Sequence, residues 1–268
     1  MHPRRVVFLT ALIFFVVGLV FVRFGGEMDS PAVSAGFVVA MALPSYAALV
    51  RWLGAVRGLF LLFVFSLLPL VVEGFAVATG FPYGAFEYAG TLGEPLFGLV
   101  PWTVAFAYLP MLLGSVTLAS RLAGTDWRRF VSATALLTVA IDLVIDPAAV
   151  HAGFWIWESP GLYYGIPAVN FAGWALTGAL YAALFHAAVR DRFAAGEPVP
   201  LAVAASLLLI LAFWSGYLLR EGIILPVAIA LLLIGLLIRA CTRPSGTPPT
   251  SGTGTGGASS PPRVRRTR

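Results

Sequence analysis

The chain is dominated by long apolar stretches, broken at short intervals by arginine. A hydrocarbon core of about 30 Å needs roughly 20 apolar residues per helix. Eight stretches approach that length: 5–22, 31–50, 58–78, 96–120, 130–145, 168–189, 201–219 and 222–240. Lipid offers no partner to a backbone N–H or C=O, so such stretches must satisfy their own polar groups as helices. The expected fold is therefore all-α, a polytopic transmembrane helix bundle of about eight spans. Only Arg220 and Glu221 separate the last two stretches, which leaves open a seven-span arrangement with one re-entrant piece. The chain is 59% hydrophobic and 11% charged, with a mean hydropathy of +0.92. No soluble catalytic domain is expected beside the membrane domain, which takes up residues 1–241.

Charge then predicts orientation. All 17 basic residues are arginine. With eight spans, 15 of them fall on one side: Arg4, Arg5, Arg51, Arg57, Arg121, Arg128, Arg129, Arg190, Arg192, Arg239, Arg243 and four in the tail. Arg23 and Arg220 fall on the other. Positive charge in short loops marks the cytoplasmic side, so both termini are expected there, in a multi-pass protein of the inner (cytoplasmic) membrane. The net charge of +5 is thus a product of topology, and no nucleic-acid partner is expected. The N-terminal arginines and apolar run resemble a signal peptide. The run is long enough to span and no small-x-small cleavage site follows, so it reads as an uncleaved anchor. Residues 242–268 are rich in Pro, Gly, Ser and Thr and are expected to form a disordered, basic, solvated tail. The GTGTGG within it has no strand before it and no helix after it, so it is not a phosphate loop.

Missing residue types exclude several chemistries. Without lysine there can be no retinal Schiff base. His2, His151 and His186 are scattered and cannot supply the clustered ligands of a membrane di-iron enzyme. The single cysteine, Cys241, offers neither a disulfide nor a metal cluster. No G-x-G-x-x-G follows a strand, which argues against a flavin or nicotinamide site. The expectation is no cofactor and no resident metal.

What chemistry remains is concentrated in two passages, FPYGAFEY from Phe81 and the stretch from Asp142 through HAGFWIWE to NFAGW. An ionisable residue at membrane depth is a functional hypothesis by default. Asp142 and Asp146 stand at i and i+4 in IDLVIDP and share one helical face. Pro147 is expected to end that helix and so to leave the pair in its last turns. Glu73 lies near the outer end of the third stretch, about 9 Å before its exit. Asn170, Trp174 and Thr177 recur at helical spacing where the sixth stretch enters from the same side. Each also has a plain structural reading: Asp146 can be a helix terminator, Glu73 and Asp142 interhelical glue, and Trp155, Trp157, Tyr163 and Tyr164 members of an interfacial aromatic belt. Glu87, Glu94 and Glu158 sit in outer loops where charge ordinarily meets water. Clustering on one side favours a site.

At these residues the sequence resembles the integral-membrane carotenoid hydratase family, which includes carotenoid 1,2-hydratases and bisanhydrobacterioruberin hydratases. The matching blocks are FPYGAFEYAGTLGEPLFGLVPW, DLVIDPAAVHAGFWIWE and YYGIPAVNFAGW, spanning Phe81 to Trp174. The resemblance implies a linear or monocyclic carotenoid lying in the bilayer and hydrated at its terminal isoprenoid double bond, with no redox cofactor. It implies no catalytic residues securely, so the roles come from the residues themselves. Asp142 is expected to be the general acid, delivering a proton to the less substituted carbon. Asp146 or Glu73 would hold the water that captures the tertiary cation. Tyr83, Glu87, Tyr88, Trp157, Asn170 and Trp174 would line the site, their aromatic faces stabilising positive charge. Expected partners are the carotenoid, membrane lipid and other carotenoid enzymes. A carotenoid end-group cyclase, a non-catalytic carotenoid-binding or transport protein, and a membrane prenyltransferase holding magnesium diphosphate at D-x-x-x-D remain as alternatives.

Overall fold

A computed structural model describes residues 3–22, 30–89 and 92–242. The apolar stretches form helices: α1 (Pro3–Val16, prolonged by a π-helical turn, Val17–Phe21), α2 (Pro31–Leu53), α3 (Ala55–Thr79), α4 (Val104–Leu122), α5 (Trp127–His151) and α6 (Ala168–Ala188). The short α7 (Arg190–Ala194) leads through a 3₁₀ turn (Leu201–Ala204) to α8 (Ala205–Arg220) and α9 (Ile224–Thr242). Among the described residues seven helices are long and apolar enough to cross a membrane. The eighth apolar stretch is α1 with its π turn, whose apolar helical segment, Phe8–Val20, is shorter. α8 and α9 are separate long helices, so the ambiguity in span number lies at the N-terminal helix rather than at Arg220 and Glu221. The all-α membrane bundle is as expected. Residues 243–268, nearly all of the expected tail, lie outside the described residues, as does Arg23.

Two boundaries differ from the sequence reading. The fourth helix begins at Val104, not near residue 96, because Pro95–Leu96 (β2) and Val100–Pro101 (β3) pair as a small antiparallel hairpin first. The second difference matters more for the site: Pro147 does not end α5, which continues to His151. A proline inside a helix has no N–H for the carbonyl four residues earlier. Here that carbonyl belongs to Leu143, and the Tyr163 hydroxyl donates to it at 2.8 Å. A residue 20 positions away thus replaces the missing backbone donor.

Arginines collect at one end of the bundle. Arg57 pairs with Asp191 at 2.6 Å and donates to the Ala188 carbonyl, and Arg121 donates to the Val199 carbonyl at 3.0 Å. The aromatic loops collect at the other end. There Phe86–Tyr88 (β1) pairs antiparallel with Trp155–Trp157 (β4), in the register Phe86 to Trp157, Glu87 to Ile156 and Tyr88 to Trp155. The ribbon joins the loop after α3 to the loop after α5 and covers the end of the bundle. Small residues let the helices below it approach closely. A Cβ on Gly216 of α8 would lie 2.0 Å from the Phe15 carbonyl oxygen of α1, so the two backbones are in direct contact.

Candidate active site

The site is assembled beneath the ribbon from α3, α4, α5 and α6. Asp142 and Asp146 are buried on one face of α5, and Asn170 reaches them from the first turn of α6. Its Nδ2 donates to Asp142 Oδ2 at 3.0 Å and to Asp146 Oδ2 at 2.5 Å. One amide therefore ties both carboxyls into a single group. Since α5 continues past Pro147, that group lies over a turn inside the helix and not at its mouth. Glu73 of α3 is 1% exposed and accepts a hydrogen bond from the Tyr88 hydroxyl at 3.0 Å. Burying an unpaired polar group is costly, so a carboxyl this deep needs such a partner.

An aromatic stack lies beside these acids. Trp174 is stacked on Tyr108 at 4.9 Å between ring centroids and inclined at 18°, with Tyr83 on it at 5.5 Å. The Tyr83 and Thr177 hydroxyls are hydrogen-bonded at 2.7 Å. Gly173 makes room for this arrangement, because a Cβ there would come within 2.5 Å of the Tyr83 ring. Trp157 packs on Phe86 at 5.0 Å.

Two cavities meet here. The larger, about 660 Å³, is walled mostly by apolar and aromatic side chains from α2, α4 and α8, among them Phe37, Met41, Phe213 and Trp214. Asp142 and Asp146 contribute polar groups to its wall, beside Tyr108 and Trp174. A concave, mainly apolar cavity with a few convergent polar groups is the usual form of a small-molecule site. The smaller, about 10 Å³, lies among Glu73, Tyr83, Tyr108, Asp146, Trp157 and Asn170.

Of the residues expected at the site, Glu73, Tyr83, Tyr88, Asp142, Asp146, Trp157, Asn170 and Trp174 are brought together. Glu87 is not. Successive strand residues point to opposite faces, so Phe86 and Tyr88 turn inward while Glu87 of β1 faces out and is exposed. Two residues the sequence reading passed over belong to the site. Tyr108 stands one turn inside α4, and a lone phenol there in an otherwise apolar run was the available signal. Trp155, read only as a belt residue, is buried and lines both cavities. Tyr163, also read as a belt residue, supports the backbone between the two aspartates.

Fold and site together define an integral-membrane helix bundle that presents buried carboxyls to an apolar chamber. The chain belongs to the carotenoid biosynthesis protein family, whose model matches residues 31–237, a span that contains every site residue named above. It is 35% identical over 190 residues to the bisanhydrobacterioruberin hydratase of Haloarcula japonica. The match covers 66% of this chain and 64% of that protein, so the chain spans somewhat less than two thirds of this relative's length. No solved structure matches.

Proposed function

We propose that this protein adds water to the terminal isoprenoid double bond of a linear or monocyclic carotenoid, giving a tertiary alcohol. The observation that carries the reading is the carboxyl pair of Asp142 and Asp146, tied by Asn170 and set in the wall of the 660 Å³ apolar cavity. The name of the haloarchaeal relative, a hydratase, agrees with it. A polyene end group entering that cavity meets acids without leaving an apolar environment. Asp142 protonates the less substituted carbon, and the tertiary cation forms beside the Tyr108–Trp174 stack. Aromatic faces contribute about 0.5–2 kcal/mol each to a desolvated cation. Water captures the cation and gives up a proton to Asp146 or Glu73, so one water is added and the carboxyls as a set neither gain nor lose a proton. No redox cofactor is needed for this sequence.

The same wall speaks against diphosphate transfer, since among the described residues that line the cavity none is basic. In the proposed orientation the arginine-rich end faces the cytoplasm and the site lies toward the outer face of the cytoplasmic membrane. Expression in a host that makes lycopene, followed by mass analysis of the pigments, tests the function. A gain of one water is the expected result. An isomer of unchanged mass would replace hydration by cyclisation, and an added five-carbon unit would replace it by prenyl transfer.

A further inference from the structure

Two buried side-chain polar atoms among the described residues have no hydrogen-bond partner, Trp157 Nε1 and the Tyr181 hydroxyl. Tyr181 packs among apolar side chains away from the acids. Trp157 instead lines the 10 Å³ chamber, together with Glu73, Asp146 and Asn170. A buried indole N–H is a donor only and ordinarily finds an acceptor. A chamber of about one probe sphere, with several polar groups around it, suits a single ordered water. Asp146, Tyr108, Trp155 and Trp174 line both this chamber and the large cavity, so only these side chains stand between the two.

Building on the hydratase reading, we propose that the small chamber is the station of the reacting water and that Trp157 is the positioning residue whose N–H holds it. The indole donates to one lone pair of the water oxygen. One water hydrogen points to the carboxylate of Glu73 or Asp146, and the second lone pair faces the cavity. When the carbon–oxygen bond forms, that carboxylate takes the proton, which replaces the one Asp142 gave up. The chamber then decides the fate of the cation. With water held in place the cation becomes an alcohol. Without it the cation returns a proton from a neighbouring carbon to a carboxylate and an alkene is recovered.

This partition can be measured in membranes of the full chain incubated with lycopene in heavy water. Protonation followed by deprotonation leaves deuterium in recovered alkene, whereas capture gives the alcohol. Trp157→Phe keeps an aromatic ring against Phe86 and removes the donor together with the five-membered ring that carries it. Hydration should fall roughly ten- to a hundredfold, while deuterium continues to enter recovered substrate at least as fast as in the wild type. Trp157→His, which carries a ring N–H, should restore part of the hydration. Trp157→Phe hydrating at the wild-type rate would overturn the proposal. So would joint loss of hydration and exchange with no rescue by His, since Trp157 would then serve folding or protonation instead. A wild-type protein that adds no water to any linear carotenoid overturns the hydratase reading itself, a result distinct from both.

Discussion

Tyr163 lies outside the reacting groups, yet it is predicted to matter through one hydrogen bond. Its hydroxyl donates to the Leu143 carbonyl at 2.8 Å, the acceptor that Pro147 leaves unserved in the stretch of helix between Asp142 and Asp146. Tyr163→Phe removes that donor but keeps the ring, which packs on Tyr164 at 4.9 Å and Phe171 at 5.6 Å. A hydrogen bond of this kind contributes about 0.5–1.5 kcal/mol net, and an acceptor left buried costs up to about 3. The bond is half-buried, so a loss of about 1–1.5 kcal/mol is expected. A second substitution isolates the cause. Pro147→Ala returns a backbone N–H to the same carbonyl, so Tyr163→Phe should cost less in that background, with a coupling of about 0.5–1 kcal/mol. Denaturant titration of the four proteins in mixed micelles measures the cycle, and pigment conversion reports whether the aspartates stay aligned. Equal cost of Tyr163→Phe in both backgrounds would refute the idea that the tyrosine substitutes for the missing N–H.

Four further outcomes are expected. Asp142→Asn keeps the size of the side chain but cannot deliver the proton, so hydration should drop by about 10²–10⁴ at unchanged protein level; wild-type turnover would move the acid to Glu73, tested by Glu73→Gln. Under anaerobic conditions in ¹⁸O-labelled water the tertiary alcohol should carry the label, and an oxygen atom from dioxygen would end the hydratase reading. Reporters fused at the tail and within residues 152–167 should lie on opposite sides of the membrane, the tail inside; a tail on the outside would remove the eight-span arrangement. At the arginine-rich end, the hydrogen bond and charge of Arg57 hold the Asp191 carboxyl well below the usual carboxylate range. A depressed carboxyl stabilises the fold above its unfolded value of 3.8 and loses that contribution as the pH falls from there through the folded value. The stability difference between wild type and Asp191→Asn should therefore be flat near neutrality and shrink in acid, and a gap that widens in acid would contradict the pairing.

Much of the architecture was legible in the sequence because lipid is an unforgiving solvent. Apolar stretches of helical length, with arginines alternating between them, admit few folds, and a carboxyl within such a stretch stands out by its cost. Glu73, Asp142 and Asp146 could be picked out on those grounds, and Asn170 by its helical spacing with Trp174 and Thr177. Beyond the shared helical face of Asp142 and Asp146, how these groups meet one another could not. That a single Asn170 amide holds both aspartates, or that Tyr88 serves Glu73, depends on how α3, α5, α6 and the ribbon pack.

The same holds where local rules misled. Pro147 is a helix breaker by local rule, but the Tyr163 hydroxyl, 20 residues beyond the Leu143 carbonyl, supplies the missing donor and the helix runs on. Glu87 shares a passage with Tyr83 and Tyr88, but strand alternation, present only because β1 pairs with β4, turns it out. Tyr108 and Trp155 enter the site from elements whose own sequences are otherwise ordinary membrane helix and loop. The small chamber is formed by no segment alone, for its walls come from α3, α4, α5, α6 and both strands of the ribbon. Local sequence determines what a segment can bury and what that costs. Which buried group meets which is a long-range matter, settled only when separate segments close on the same space.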